Sequence, residues 1–249
     1  MKRPLLTAAA FTTMLALPAQ ALDLDQMSEA ERAAFRAEIR AYLLENPEVI
    51  MEAVDVLEKR QQQARAQDDT DLVKVNAEDI FNDGHSWVGG NPDGDITLVE
   101  FMDYRCGYCR RAFDEVETLL ESDGNIRFIV KEFPILGEES TLASRFAIAT
   151  QQVAGDEAYK SVHDTLMAFN GAINEASLSR IADSLGLDPH AITAHMNSDE
   201  VTKVIAENHD LAQRLSISGT PSFVMANHML RGYLPAEDMQ RMADEIRTQ

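Results

Sequence analysis

Apolar positions from residue 28 onward follow a helical period. Ser28-Glu29-Ala30-Glu31 is a capping-box pattern, Ser followed three residues later by Glu. Behind it Phe35, Ile39, Tyr42 and Leu43 form one apolar stripe. Asn46-Pro47 is read as the end of that helix and the start of the next, with Asn as N-cap and Pro in the first turn. Ile50, Ala53, Val54 and Leu57 make a second stripe, and a polar helix-favouring run, Glu58 to Gln67, leads to a sparser one at Leu72, Val75 and Ile80. Stripes this narrow on polar helices call for a partner helix. Residues 22–83 are therefore expected to form a helical arm that joins copies of the chain into a homo-oligomer, a dimer or trimer. The alternative is that the arm folds back on the rest of its own chain.

The period changes after the turn-rich Asn82-Asp83-Gly84 and the Gly89–Gly94 stretch. Trp87-Val88 reads as a short edge strand. Ile96 to Met102 is a mostly apolar run suited to a buried central strand, Gly107 to Ser122 reads as helix, and Ile126 to Lys131 as the next strand. A β–α–β succession implies a parallel, right-handed crossover. Residues 138–216 then read as a block of four helices, with Pro189 in a turn before the last, Asp199–Leu215. Strand character returns at Ser222–Ala226, turns at Asn227-His228 and pairs back from Met229. A final helix runs from Pro235 to Ile246. The fold class is α/β, with residues 84–249 as one domain.

Charge and the N-terminus narrow the partners. Among 249 residues, 42 acids face 22 bases, a net charge of −20, which disfavours nucleic acid and anionic membrane as partners. Lys2 and Arg3, the apolar Leu5–Leu17 and Ala19-Gln20-Ala21 have the form of a cleavable signal over residues 1–21. The chain has two cysteines, and they sit together as Cys106-Gly107-Tyr108-Cys109. Export combined with a lone pair suggests a working disulfide and not a structural staple.

The pair's position matters as much as its spacing. It follows a strand and opens a helix, so free backbone N–H groups point at Cys106 and favour its thiolate. Arg105, Arg110 and Arg111 would add a positive field, unless they are simply solvated. Cys109, one turn later and more buried, is placed to attack a mixed disulfide on Cys106. Structural zinc would need two further ligands, so no metal or other cofactor is expected. Copper binding by the same two cysteines is the alternative function, with His195-Met196 and His228-Met229 as further soft ligands.

Three segments together carry a resemblance: Glu100-Phe101-Met102-Asp103-Tyr104-Arg105-Cys106-Gly107-Tyr108-Cys109, the helical block, and Gly219-Thr220-Pro221-Ser222-Phe223. The chain resembles the DsbA-like branch of the thioredoxin superfamily, a thioredoxin-like fold with an inserted helical domain. The arm is similar to the N-terminal extension of ScsC-type members, some of which oligomerise and isomerise disulfides. The resemblance implies a periplasmic thiol–disulfide oxidoreductase whose partners are exported cysteine-containing proteins and a membrane redox protein. It implies that Cys106 attacks, that Cys109 resolves, and that a cis Thr220-Pro221 loop presents the substrate. It also places at Glu100 a buried acid that shuttles protons for Cys109; Lys131 is the expected partner of that acid, and a solvent-facing Glu100 the alternative. The Pro-His dipeptide of strongly oxidising members is replaced by Gly107-Tyr108, which points toward isomerase or reductase use over simple oxidation.

Overall fold

The computed structural model describes residues 27–248. The expected signal over 1–21 lies outside them. The chain divides into two units, Met1–Lys59 and Arg60–Gln249, and the division falls within the second helix.

In the first unit, α1 (Glu29–Glu45) begins as its sequence requires. The Ser28 hydroxyl oxygen accepts from the Glu31 N–H, and the Glu31 carboxylate accepts from the Ser28 N–H at 2.8 Å. Asn46 does a different job from the one expected. Its side-chain amide donates back to the Tyr42 carbonyl (3.0 Å), so it closes α1 instead of capping α2 (Glu48–Val75). Phe35, Ile39, Tyr42, Ile50, Val54 and Leu57 all stay exposed.

The second unit is built on a five-stranded sheet, ordered β1-β3-β2-β4-β5. Its strands are β1 (Trp87–Gly90), β2 (Ile96–Met102), β3 (Ile126–Glu132), β4 (Ser222–Met225) and β5 (His228–Arg231). The central pair β2–β3 is parallel, bridged by α4 (Gly107–Asp123), and the other pairs are antiparallel. The β4–β5 turn falls one residue earlier than its sequence suggested. Met225 pairs with His228, and Ala226 takes the left-handed conformation at φ 52°.

Alternation along the strands sorts their side chains onto two faces. Leu98, Met102, Phe128 and Val130 face α4, α10 (Ala236–Arg247) and the inserted helices. Val99, Phe101, Ile129 and Val224 face Val73, α3 (Ala77–Phe81) and the end of α9 (Asp199–Arg214). The expected boundary at residues 83/84 therefore falls inside this unit. Val73 and Ile80 are buried against the sheet, and the fully buried Lys131 reaches Asp83 and the Asp79 carbonyl (2.8 Å). The helical block contains five helices: α5 (Glu138–Ala154), α6 (Asp156–Ala168), α7 (Glu175–Ser184), α8 (Pro189–His195) and α9. The extra one, α8, starts at Pro189, which occupies a first-turn position behind the Asp188 cap instead of a turn.

Candidate active site

Cys106 is the N-cap of α4, with extended backbone (φ −78°, ψ 116°), and Cys109 lies in its first turn. Both are free thiols; Cys106 is 7% exposed and Cys109 fully buried. The Thr220–Pro221 bond is cis, and the Cys106 Sγ lies 3.2 Å from the Thr220 carbonyl oxygen, to which the protonated thiol donates. Four of the five expected site residues thus meet at one point, the turn before α4 against the loop before β4.

The two sulfurs have opposite acidities. Cys106 is drawn down to about 5, first by the Cys109 thiol donating to it, with further help from the Thr220 side chain and the N–H groups of Cys109 and Tyr108. Burial opposes that shift, and so does the Thr220 carbonyl, which favours the thiol. Cys109 is pushed far above its ordinary value by burial, by its bond to Cys106 and by the charge of Glu100. Cys106 is the sulfur that ionises readily, and Cys109 holds its proton.

Glu100, the fifth expected residue, shares the sheet face of Leu98 and Met102 and is 2% exposed. Its Oε1 has no hydrogen-bond partner. Burial, then the negative charges of Cys106 and Glu132, raise it to about 8. Lys131 is not its partner. Lys131 is in register with Phe101, while Glu100 is in register with Val130, so lysine and acid point to opposite faces.

The arginines also act otherwise than expected. Arg110 donates to the Tyr104 carbonyl (2.9 Å), to Asn170 Oδ1 (2.8 Å) and to the Phe169 carbonyl (2.7 Å). Arg105 pairs with Glu139 (3.0 Å) and donates to the Gly171 carbonyl (3.2 Å). Arg111 sits over the Tyr108 ring, 4.9 Å from its centroid. Two of the three tether the 169–171 loop to the cysteine turn, and the dominant influences on Cys106 are hydrogen bonds.

From the sequence Asp103 only flanked the site, with no chemical step assigned to it, and Glu132 was not picked out. Asp103, fully buried, accepts from the N–H groups of Arg105 (2.7 Å), Ile135 (2.8 Å) and Leu136 (3.1 Å), fixing the turn to the loop after β3. Glu132 is buried at the end of β3 and accepts from the hydroxyls of Tyr104, Tyr159 and Ser144, each at 2.7 Å. Glu132 carried a signal like that of Glu100, a carboxylate in an apolar strand, Glu100 inside β2 and Glu132 at the end of β3.

Comparison with known proteins places the fold in a family. The DSBA-like thioredoxin domain family matches residues 97–247, and the copper resistance protein ScsC N-terminal domain matches residues 31–64. A thioredoxin-like oxidoreductase from Silicibacter pomeroyi is 42% identical, with TM-score 0.65, over 69% of this chain and 98% of its own. BcfH from Salmonella enterica Typhimurium is 28% identical, with TM-score 0.71, over 87% of this chain and 95% of its own. A curated relative, the Na(+)/H(+) antiporter NhaA 1 of Salinispora arenicola, is 33% identical over 137 residues, 55% of this chain. The chain spans only 21% of the length of that antiporter. No helix among the described residues is long and apolar enough to cross a membrane. The chain belongs to the DsbA-like thioredoxin-domain family of thiol–disulfide oxidoreductases and carries an ScsC-type N-terminal segment.

Proposed function

We propose that this protein exchanges disulfides of exported proteins in the periplasm through Cys106 and Cys109, with isomerase or reductase use favoured over net oxidation. One observation carries the reading: an acidic sulfur at a helix N-terminus, 3.2 Å from the Thr220 carbonyl, beside a buried thiol that keeps its proton. The Cys106 thiolate attacks one sulfur of a substrate disulfide. A Cys106–substrate bond forms, and the other substrate sulfur leaves as a thiolate and takes a proton. In the resolving step Cys109 loses its proton to Glu100 and attacks the Cys106 sulfur. The Cys106–Cys109 disulfide forms and the second substrate thiol is released, so the substrate gains two electrons and the pair loses two. In isomerisation the substrate's own thiol resolves the mixed disulfide and the pair ends reduced. An acidic Cys106 stabilises the reduced pair as its thiolate and so makes the disulfide form more oxidising, and isomerase use then requires that the pair be kept reduced at rest. A membrane redox partner would keep it so. The backbone around Thr220 would hold the substrate as an added strand.

The exposed stripes of α1 and α2 support a homo-oligomer, dimer or trimer, in which several sites share one substrate. The copper alternative uses the same two sulfurs.

The test has two parts. Cys109→Ser should accumulate a mixed disulfide with a cysteine peptide, and Cys106→Ser should abolish it. No covalent adduct through Cys106, together with tight Cu(I) retention against a chelator, would favour the copper reading. Removing residues 22–59 should yield monomers that oxidise dithiols but no longer refold a scrambled-disulfide protein. Unchanged isomerisation by such monomers would exclude the shared-substrate arrangement.

A further inference from the structure

The parallel register puts two buried carboxyl groups on one face of the sheet. Glu100 pairs with Val130 and Met102 with Glu132, so Glu100 and Glu132 are diagonal neighbours across β2–β3. Their surroundings are opposite in kind. Glu132 receives three hydroxyl donors at 2.7 Å, from β2's following turn (Tyr104), α5 (Ser144) and α6 (Tyr159). That cage favours the carboxylate, but burial outweighs it and raises Glu132 to about 7, still below Glu100 at about 8. Glu100 has no donor at Oε1 and lies among apolar groups, a setting that suits a neutral acid. Two carboxyls held apart in this way take different protonation states, and the hydroxyl-caged one ionises first.

We propose that Glu132 is a positioning residue for the resolving step, a negative charge anchored by three hydroxyls that keeps Glu100 protonated and so sets the pH at which Cys109 can be deprotonated. This rests on the reading of Glu100 as the proton partner of Cys109.

The charged and titratable neighbours are few. Glu100 is faced by Cys106, Cys109, Glu132 and the buried Tyr159. Glu132 is faced by Tyr104, Tyr159 and Asp103, and α9 contributes only Asn208, which donates to the Glu132 backbone carbonyl at 3.0 Å. Behind Tyr104, His163 Nδ1 lies 3.0 Å from its hydroxyl; burial and Lys160 hold this imidazole neutral, at about 3. No cation touches either carboxyl among the described residues. The negative charge on Glu132 is therefore felt by Glu100 without a counter-ion between them. Diagonal spacing of roughly 8 Å in a partly polarisable interior makes this worth about one pH unit or more on Glu100.

The experiment follows decay of a mixed disulfide between Cys106 and a dithiol peptide, by rapid quench from about pH 5.5 to about pH 9. In the wild-type protein the resolving rate rises with pH along a limb set by Glu100. Glu132→Gln should move that midpoint down by about one unit. Glu132→Asp, which keeps the charge, should leave it near its original position. A Glu132→Gln midpoint that does not move, or that moves equally with Glu132→Asp, overturns the proposal. Glu100→Gln should flatten the limb. If it does while Glu132→Gln changes nothing, the Glu132 inference alone fails; if Glu100→Gln leaves the limb intact, the Glu100 reading fails and takes the inference with it. Should Glu132→Gln not fold, carboxyl carbon-13 NMR of the wild-type protein decides, since Glu100 ionising before Glu132 is incompatible with the proposal.

Discussion

Replacing Arg110 with Met separates two explanations for the basic residues around the cysteines. If Arg110 supplies a positive field, its loss raises the titration midpoint of Cys106 and makes the thiol less acidic. If it is a clamp, its loss costs stability and leaves the sulfur alone. Its guanidinium makes three hydrogen bonds of 2.7–2.9 Å, two to carbonyls of the Tyr104 turn and the 169–171 loop and one to the Asn170 side chain. Bonds from a charged donor contribute about 1.5–3 kcal/mol each. The Asn170 bond is open to water and contributes little. Met keeps much of the aliphatic packing, so the net loss should be about 2–4 kcal/mol. For a domain of this size, that lowers Tm by about 5–15 °C. Denaturant unfolding of the reduced protein measures the first quantity, and thiolate absorbance against pH measures the second. The Cys106 midpoint should stay within about half a unit of its original position, because hydrogen bonds from Cys109, Thr220 and backbone N–H groups dominate it. A stability loss below about 0.5 kcal/mol, or a rise in the Cys106 midpoint of a unit or more, would refute the clamp.

Glu100→Gln should stabilise the reduced protein at neutral pH. Folding lifts this carboxyl from its ordinary value of 4.5 to about 8, so the native state retains a proton that the unfolded chain has released. Stability from this group is complete below pH 4.5 and declines as pH rises toward 8. The substitution should gain about 3 kcal/mol at pH 7 and nothing at pH 4, measured by urea unfolding at both. A gain that is the same at the two pH values would refute this account. Lys131→Met should cost about 3 kcal/mol, since it leaves Asp83 without its buried counter-charge. Burial raises Asp83, but Lys131 outweighs it and holds the carboxyl at about 2. The stability that pairing supplies is present above the ordinary 3.8 and lost as pH falls through about 2. The variant's acid-unfolding curve should therefore lose that contribution, and an unaltered curve would show that the pair is energetically idle.

Local pattern determined much of this protein. The capping box at Ser28–Glu31, the limits of β2 and the helix after Cys106 were legible because each depends on neighbours in the chain, whereas the meeting of the cysteine motif with Gly219-Thr220-Pro221 was expected only from the family resemblance. What only the tertiary structure decided was where charged side chains ended their reach. Lys131 and Glu100 looked like partners on adjacent strands, yet the register sends them to opposite faces. Arg105 and Arg110 looked like a field for the thiolate, yet their ends lie on carbonyls of a loop about sixty residues away. Val73 and Ile80 looked like part of an arm, yet they close the sheet's second face. Glu132 had no visible role until α5 and α6 delivered Ser144 and Tyr159 to it. A period or a cap is set by a few consecutive residues, whereas the partner of a long polar side chain is set by strand register and by which distant segments arrive beside it.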